Sequence, residues 1–182
     1  MKRKNNLMKF ACAFLCLLCL AITGAAQKRK TTTKKTGSST AAAAKAANEA
    51  NAAEIRSGAE KVSIQIKNVS RFIYLLGSIA QGIEDVDKDI KAGKATKTAA
   101  DTNAKNKQAV LTTLRNVRAG LVELEMEFRT KTPLRTYLIN IQGISDITGV
   151  AEDQASAGQL KESGKTLLQV VEKLSDTLVA MP

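Results

Sequence analysis

The sequence predicts an all-α chain folded as an antiparallel, up-and-down helical bundle. Three observations carry that expectation. Apolar residues recur at three- and four-residue intervals over long stretches. The connections between those stretches are short, which favours antiparallel neighbours. No cysteine follows Cys19, so the body of the fold must hold by packing alone. Four helices are the expected count, with three long helices as the alternative.

In chain order, residues 1–26 read as a signal peptide. Lys2, Arg3, Lys4 and Lys9 precede the apolar run FACAFLCLLCLAI, and TGAAQ supplies small residues for a peptidase. Cleavage is expected after Ala25 or Ala26. Phe10 to Ala26 spans 17 residues, the lower limit for crossing a bilayer, so an uncleaved anchor is the alternative. Lys28, Arg29 and Lys30 follow at once and weaken the charge asymmetry that orients a signal. Cys12, Cys16 and Cys19 all lie in this segment, and none sits in the Leu-x-Gly/Ala-Cys setting of a lipid-attachment site.

The formal charge of +11 is concentrated at the N-terminus. Residues 27–40, QKRKTTTKKTGSST, hold five cations and no acid, whereas from residue 41 onward 19 basic residues face 17 acidic ones. The tract 27–40 has no aliphatic or aromatic side chain to bury, and it reads as a disordered basic linker. AAAAKAANEANAA extends it to residue 53, either as a frayed helical extension or as more linker, since alanine favours helix but buries little.

The helical bundle domain is expected over residues 54–182. In its first helix Ile55, Val62, Val69, Leu76, Ile83 and Ile90 recur every seven residues, with Ile66, Phe72, Ile73, Ile79 and Val86 between them. Such a stripe drifts sideways round a helix of 3.6 residues per turn. Ser57 and Glu60 could form a capping box that starts the well-packed part, which should end before Gly93. RFIYLLGSIAQGI, residues 71–83, has only 12 uncharged residues between Arg71 and Glu84, too few for a membrane span, and is assigned to the core.

Thr98 and Asp101 suggest the start of a second helix carrying Val110, Leu114, Val117, Leu121, Leu124 and Phe128. Thr132 before Pro133 suggests a cap and first helical position for a third, with Leu134, Tyr137, Leu138, Ile141, Ile144, Ile147 and Val150 on one face. A fourth carries Leu160, Leu167, Val171, Leu174, Leu178 and Met181. Ser156 and Gln159 resemble a capping box between the last two, although a single helix from Pro133 to Ala180 also fits. The first two helices should outrun the last two.

Several short motifs carry chemistry elsewhere. SGKTLL (163–168) ends like a phosphate-binding loop, but Gln159 stands where the first glycine is required, and a helix face is expected. EDVDKD (84–89) spaces Asp85, Asp87 and Asp89 as a calcium loop would, yet Ile90 and Thr96 replace the required glycine and glutamate. In ELEMEF (123–128) Glu123 and Glu127 lie one turn apart beside the apolar face, and Glu125 with Arg129 makes an i, i+4 surface pair. Asn68-Val69-Ser70 is a glycosylation triplet placed mid-helix. The chain has no histidine and no tryptophan, which removes the usual zinc, haem and Ser/His/Asp chemistry and leaves little for stacking on bases or sugars.

No catalytic, cofactor-binding or metal-binding residue is therefore assigned. The expected class is an exported, non-enzymatic protein of the cell envelope or exterior with a binding or scaffolding role. The alternative is a carrier of lipid or another apolar ligand, which would open its amphipathic helices onto acyl chains. Partners are an unidentified protein or a second copy of the chain. Lys28, Arg29, Lys30, Lys34 and Lys35 form a candidate tail for weak contact with an anionic membrane surface or envelope polymer. Nucleic acid is disfavoured by the near-neutral body.

Overall fold

A computed structural model describes residues 37–182, with side chains from residue 41. The expected signal peptide and the tail cations Lys28, Arg29, Lys30, Lys34 and Lys35 lie outside the described residues. Those described are helical apart from short connections, and none forms a strand. The elements are α1 (Gly37–Lys91), α2 (Lys97–Thr130), a 3-10 helix (Thr132–Tyr137), α3 (Leu138–Ile141), α4 (Ile144–Ser156) and α5 (Leu160–Ala180). The all-α expectation holds.

Helix α1 starts well before the expected capping box. Its 55 residues make it about 82 Å long, and Ser57 and Glu60 sit inside it. Nucleating a helix is costly and extending one is cheap, so the alanine run propagates the packed helix backwards. Residues 41–53 are exposed on every side, and packing begins at Glu54 and Ile55. The alanine-rich segment is thus helical. At the other end Gly93 takes φ +68°, and the amides of Gly93 and Lys94 close onto the carbonyls of Ile90 and Asp89.

Thr96, not Thr98, caps α2: its hydroxyl accepts from the Ala99 amide at 3.2 Å. The expected third helix is broken. Lys131, not Thr132, stands as cap of a 3-10 helix in which Thr132 is first and Pro133 second, and one α-turn (α3) ends at Gln142 and Gly143, where φ at the glycine is +85°. Helix α4 then starts afresh at Ile144. Helices α4 and α5 are separate, as the four-helix expectation required, but the break is made by Gly158 at φ +80°. Ser156 caps nothing there; its hydroxyl turns back to the Asp153 carbonyl at 2.8 Å.

Helix α1 packs against α2 and α5, and α4 packs against the same two helices. Lys61 reaches Glu127 while Asn103 reaches Ile83, so α1 and α2 run in opposite directions. Gly58 lies against Met181 while Lys161 reaches Glu84, so α5 also runs against α1. The core between them is filled by fully buried Val62, Val69, Leu114, Leu121, Phe128, Leu134, Ile144, Leu167 and Leu174. Three residues assigned to the buried stripe lie outside it: Ile79, Ile90 and Val150 are each 40% or more exposed. A seven-residue repeat slips about 20° per heptad on a straight helix, which carries Ile90, the last position of that repeat, out of the core.

Candidate functional site

The most buried acid is Glu125, which is only 7% exposed. Gly143 starts α4 in a left-handed conformation, and this turns the first amides of that helix toward α2. The Glu125 carboxylate accepts from the Gly143 amide at 3.1 Å, the Ser145 amide at 3.4 Å and the Ser145 hydroxyl at 2.8 Å. Arg129 Nη2 approaches the same carboxylate at 3.0 Å. Burial pushes the Glu125 carboxyl up, but these donors and the Arg129 charge outweigh it and hold it below the usual glutamate value. The pair with Arg129 forms as expected. The setting does not, for Glu125 is a buried cap on another helix and not a surface residue.

Three other acids of the singled-out motifs, Glu127, Asp87 and Asp85, are drawn into separate contacts. Glu127 joins α1 to the end of α2, accepting from Lys61 at 2.6 Å and Lys131 at 2.7 Å. Burial raises its carboxyl and the two lysines lower it further, for a net downward shift. Asp87 binds Lys107 at 2.6 Å and the buried Asn103 amide at 2.7 Å, and Asn103 also donates to the Ile83 carbonyl. Asp85 takes Gln81 and Lys88 instead. Asp85, Asp87 and Asp89 therefore do not converge. Among the described residues no three of His, Cys, Asp and Glu are placed to hold a metal ion.

SGKTLL is the opening half of α5. Ser163 and Leu167 face the core, Gly164 lies against Leu76, Lys165 pairs with Glu162, and Thr166 donates to Gln154 on α4. No backbone loop wraps a phosphate there. On α4, Glu152 accepts from Arg115 at 2.7 Å and Arg118 at 3.1 Å, and the Arg118 hydrogen bond and charge add to those of Arg115 in holding its carboxyl down. Gly149 leaves room for the Arg118 guanidinium. Asn68-Val69-Ser70 lies within α1, and its valine is fully buried.

RFIYLLGSIAQGI divides between two environments. Phe72, Leu76, Ala80 and Ile83 are in the core as expected. Tyr74 is 78% exposed and Leu75 57%, and with Gly77, Ser78, Ile79, Gln81 and Gly82 they leave the opposite side of α1 open and uncharged. The core assignment is thus right for one face only. A shallow recess of about 460 Å³ bordered by Ser70, Arg71, Tyr74 and Leu75 lies on this open side. A second, of about 600 Å³, follows the seam between α1 and α2 from Ile79 to Val86. Periodicity marks the whole segment as apolar without saying which of its two sides the chain itself will cover.

Fold and polar contacts together define an all-α protein in which Glu84, Asp87, Glu125, Glu127 and Glu152 tie helices to one another and the uncharged side of α1 is left open. No described helix is long and apolar enough to cross a membrane. Compared with known proteins, the chain matches no family model, no curated sequence and no solved structure.

Proposed function

We propose that this is an exported, non-enzymatic protein of the cell envelope or exterior, built as an antiparallel up-and-down bundle of four main helices and acting by binding or scaffolding. The observation that carries the reading is the open, uncharged side of α1 at residues 74–82. An uncharged helix face that exposes Tyr74, Leu75 and Ile79 is the kind of surface a partner covers. The half-buried and buried acids Glu84, Asp87, Glu125, Glu127 and Glu152 are committed to joining helices, which favours an interaction surface over a reaction centre. The N-terminal order of basic, apolar and small residues supports export, and the basic tail at Lys28, Arg29, Lys30, Lys34 and Lys35 supports a weak electrostatic hold on anionic lipid or polymer.

Expression of the full chain followed by cell fractionation tests the reading. The protein is expected outside the cytoplasm, with a new N-terminus at residue 26 or 27 by Edman sequencing. Full-length protein confined to the cytoplasm overturns it. Added phospholipid vesicles should leave the helical far-ultraviolet signal and protease resistance of residues 54–182 unchanged, and a gain in either would transfer the chain to the lipid-carrier class.

A further inference from the structure

Seven exposed residues, Lys67, Arg71, Tyr74, Ser78, Gly82, Asp85 and Asp89, follow one another along the outer side of α1 at intervals of four, three, four, four, three and four. These intervals keep them on one face of a helix. They also read the same in both directions from Ser78. The charges do the reverse: two cations stand at one end, two anions at the other, and nothing charged lies between. Among the described residues Lys67, Arg71 and Asp89 enter no ion pair, while Asp85 holds Lys88 at 3.0 Å.

We infer that two copies of this chain associate through this stripe, their α1 helices antiparallel about a two-fold axis at Ser78. In that register Arg71 of each copy meets Asp85 of the other, and Lys67 meets Asp89. Tyr74 comes opposite Gly82, and Ser78 comes opposite itself. A parallel pairing would place like charges together at both ends. A two-fold contact needs a self-complementary surface, and the palindromic spacing with antisymmetric charge supplies one.

The glycines agree with this arrangement. A methyl group at Gly77 or Gly82 would touch nothing in the chain, and neither residue has positive φ. Glycine inside a helix is less favourable than alanine, so the fold of one copy gives no reason for either. Opposite Gly82 the Tyr74 ring of the second copy finds room for close approach. The recess beside Tyr74 and Leu75 lies on the same stripe.

One pair of helices touching over about six turns is a small interface, so the dimer should be weak, roughly micromolar or weaker. The inference rests on the reading of α1 as a binding face, but its test is separate from that of export. Sedimentation of the full chain at about 50 mM salt should show a monomer–dimer equilibrium that weakens as salt rises. Lys67→Glu/Arg71→Glu makes both ends acidic and Asp85→Lys/Asp89→Lys makes both basic. Each variant alone should associate at least about tenfold less well, because like charges then meet at both ends. An equal mixture of the two should recover the dimer. Gly82→Leu should leave the monomer folded, since its site is open, and should abolish association by displacing Tyr74.

A wild-type chain that stays monomeric overturns the inference. So does association in which the two charge variants match wild type, because contact through the α1 stripe requires both to weaken. Failure of the mixture to dimerise where wild type does also overturns it.

Discussion

At Glu125 burial and hydrogen bonding act in opposite directions, and three donors with a nearby guanidinium prevail. The carboxylate is fully charged at neutral pH, and its contribution to stability is present above the pKa of an unfolded glutamate, about 4.3. Because the folded value is lower, the contribution is lost as pH falls below about 4.3 and through the folded pKa. Glu125→Gln removes the charge and sets an amide against the Gly143 and Ser145 donors. It should cost about 1–3 kcal/mol in urea unfolding at pH 7. The gap between the two proteins should close toward pH 2, where the wild-type carboxyl is also neutral. A gap of constant size across that range would show that shape, and not charge, is what Glu125 supplies. In the sequence Glu125 reads as a surface partner for Arg129, because the i, i+4 spacing is local. Its real partners lie 18 and 20 residues away and come into reach only once α2 and α4 have packed.

Among the elements, α1 and α2 were the most legible, because their stripes are long and each turn repeats the same choice. The third helix was not. Pro133, Gly143 and the amides that Glu125 receives divide it, and only the proline signals itself locally. Ser57 and Glu60 misled for the opposite reason, since a capping box is silent when a strong helix former already continues upstream. The glycines of α1 separate local propensity from packing in the same way. A methyl group at Gly58 would stand 2.7 Å from Leu134 Cδ2 and 3.2 Å from Met181 Cε, whereas one at Gly77 would meet nothing. Gly77→Ala should therefore raise stability by about 0.5–1 kcal/mol, the ordinary gain of alanine over glycine in a helix. Gly58→Ala should forfeit that gain, and Gly58→Val should destabilise by about 1–3 kcal/mol because Leu134 is fully buried and has little room to move. Thermal unfolding of the three variants in parallel checks the order. An equal gain at both positions would mean that α1 and the 3-10 helix lie farther apart than described.

Over the whole described molecule, packing is unevenly distributed along α1. Residues 41–53 form helix without burying a side chain, while Ile55 is the first to pack on a core that runs from Val62 to Met181. An exposed alanine-rich helix draws on propensity alone, and a stretch shorter than about 12–15 residues is marginal unless something packed continues it. The extension is therefore helical because α1 is, and not the reverse. Beginning the chain at residue 54 instead of residue 37 should leave the midpoint and slope of urea unfolding nearly unchanged, within the roughly 0.5 kcal/mol expected for losing the exposed residues 41–53 and the turn of helix before them. The total helical far-ultraviolet signal should still fall, since Gly37–Ala53 contributes helix to the intact chain. In amide exchange the same residues should protect weakly and lose protection progressively toward Gly37, as fraying does. A drop of several kcal/mol on truncation would contradict this, for it would require the extension to be covered by part of the chain or by a second copy. The two cases separate on dilution, because stability that comes from a second copy falls with protein concentration and stability from the same chain does not.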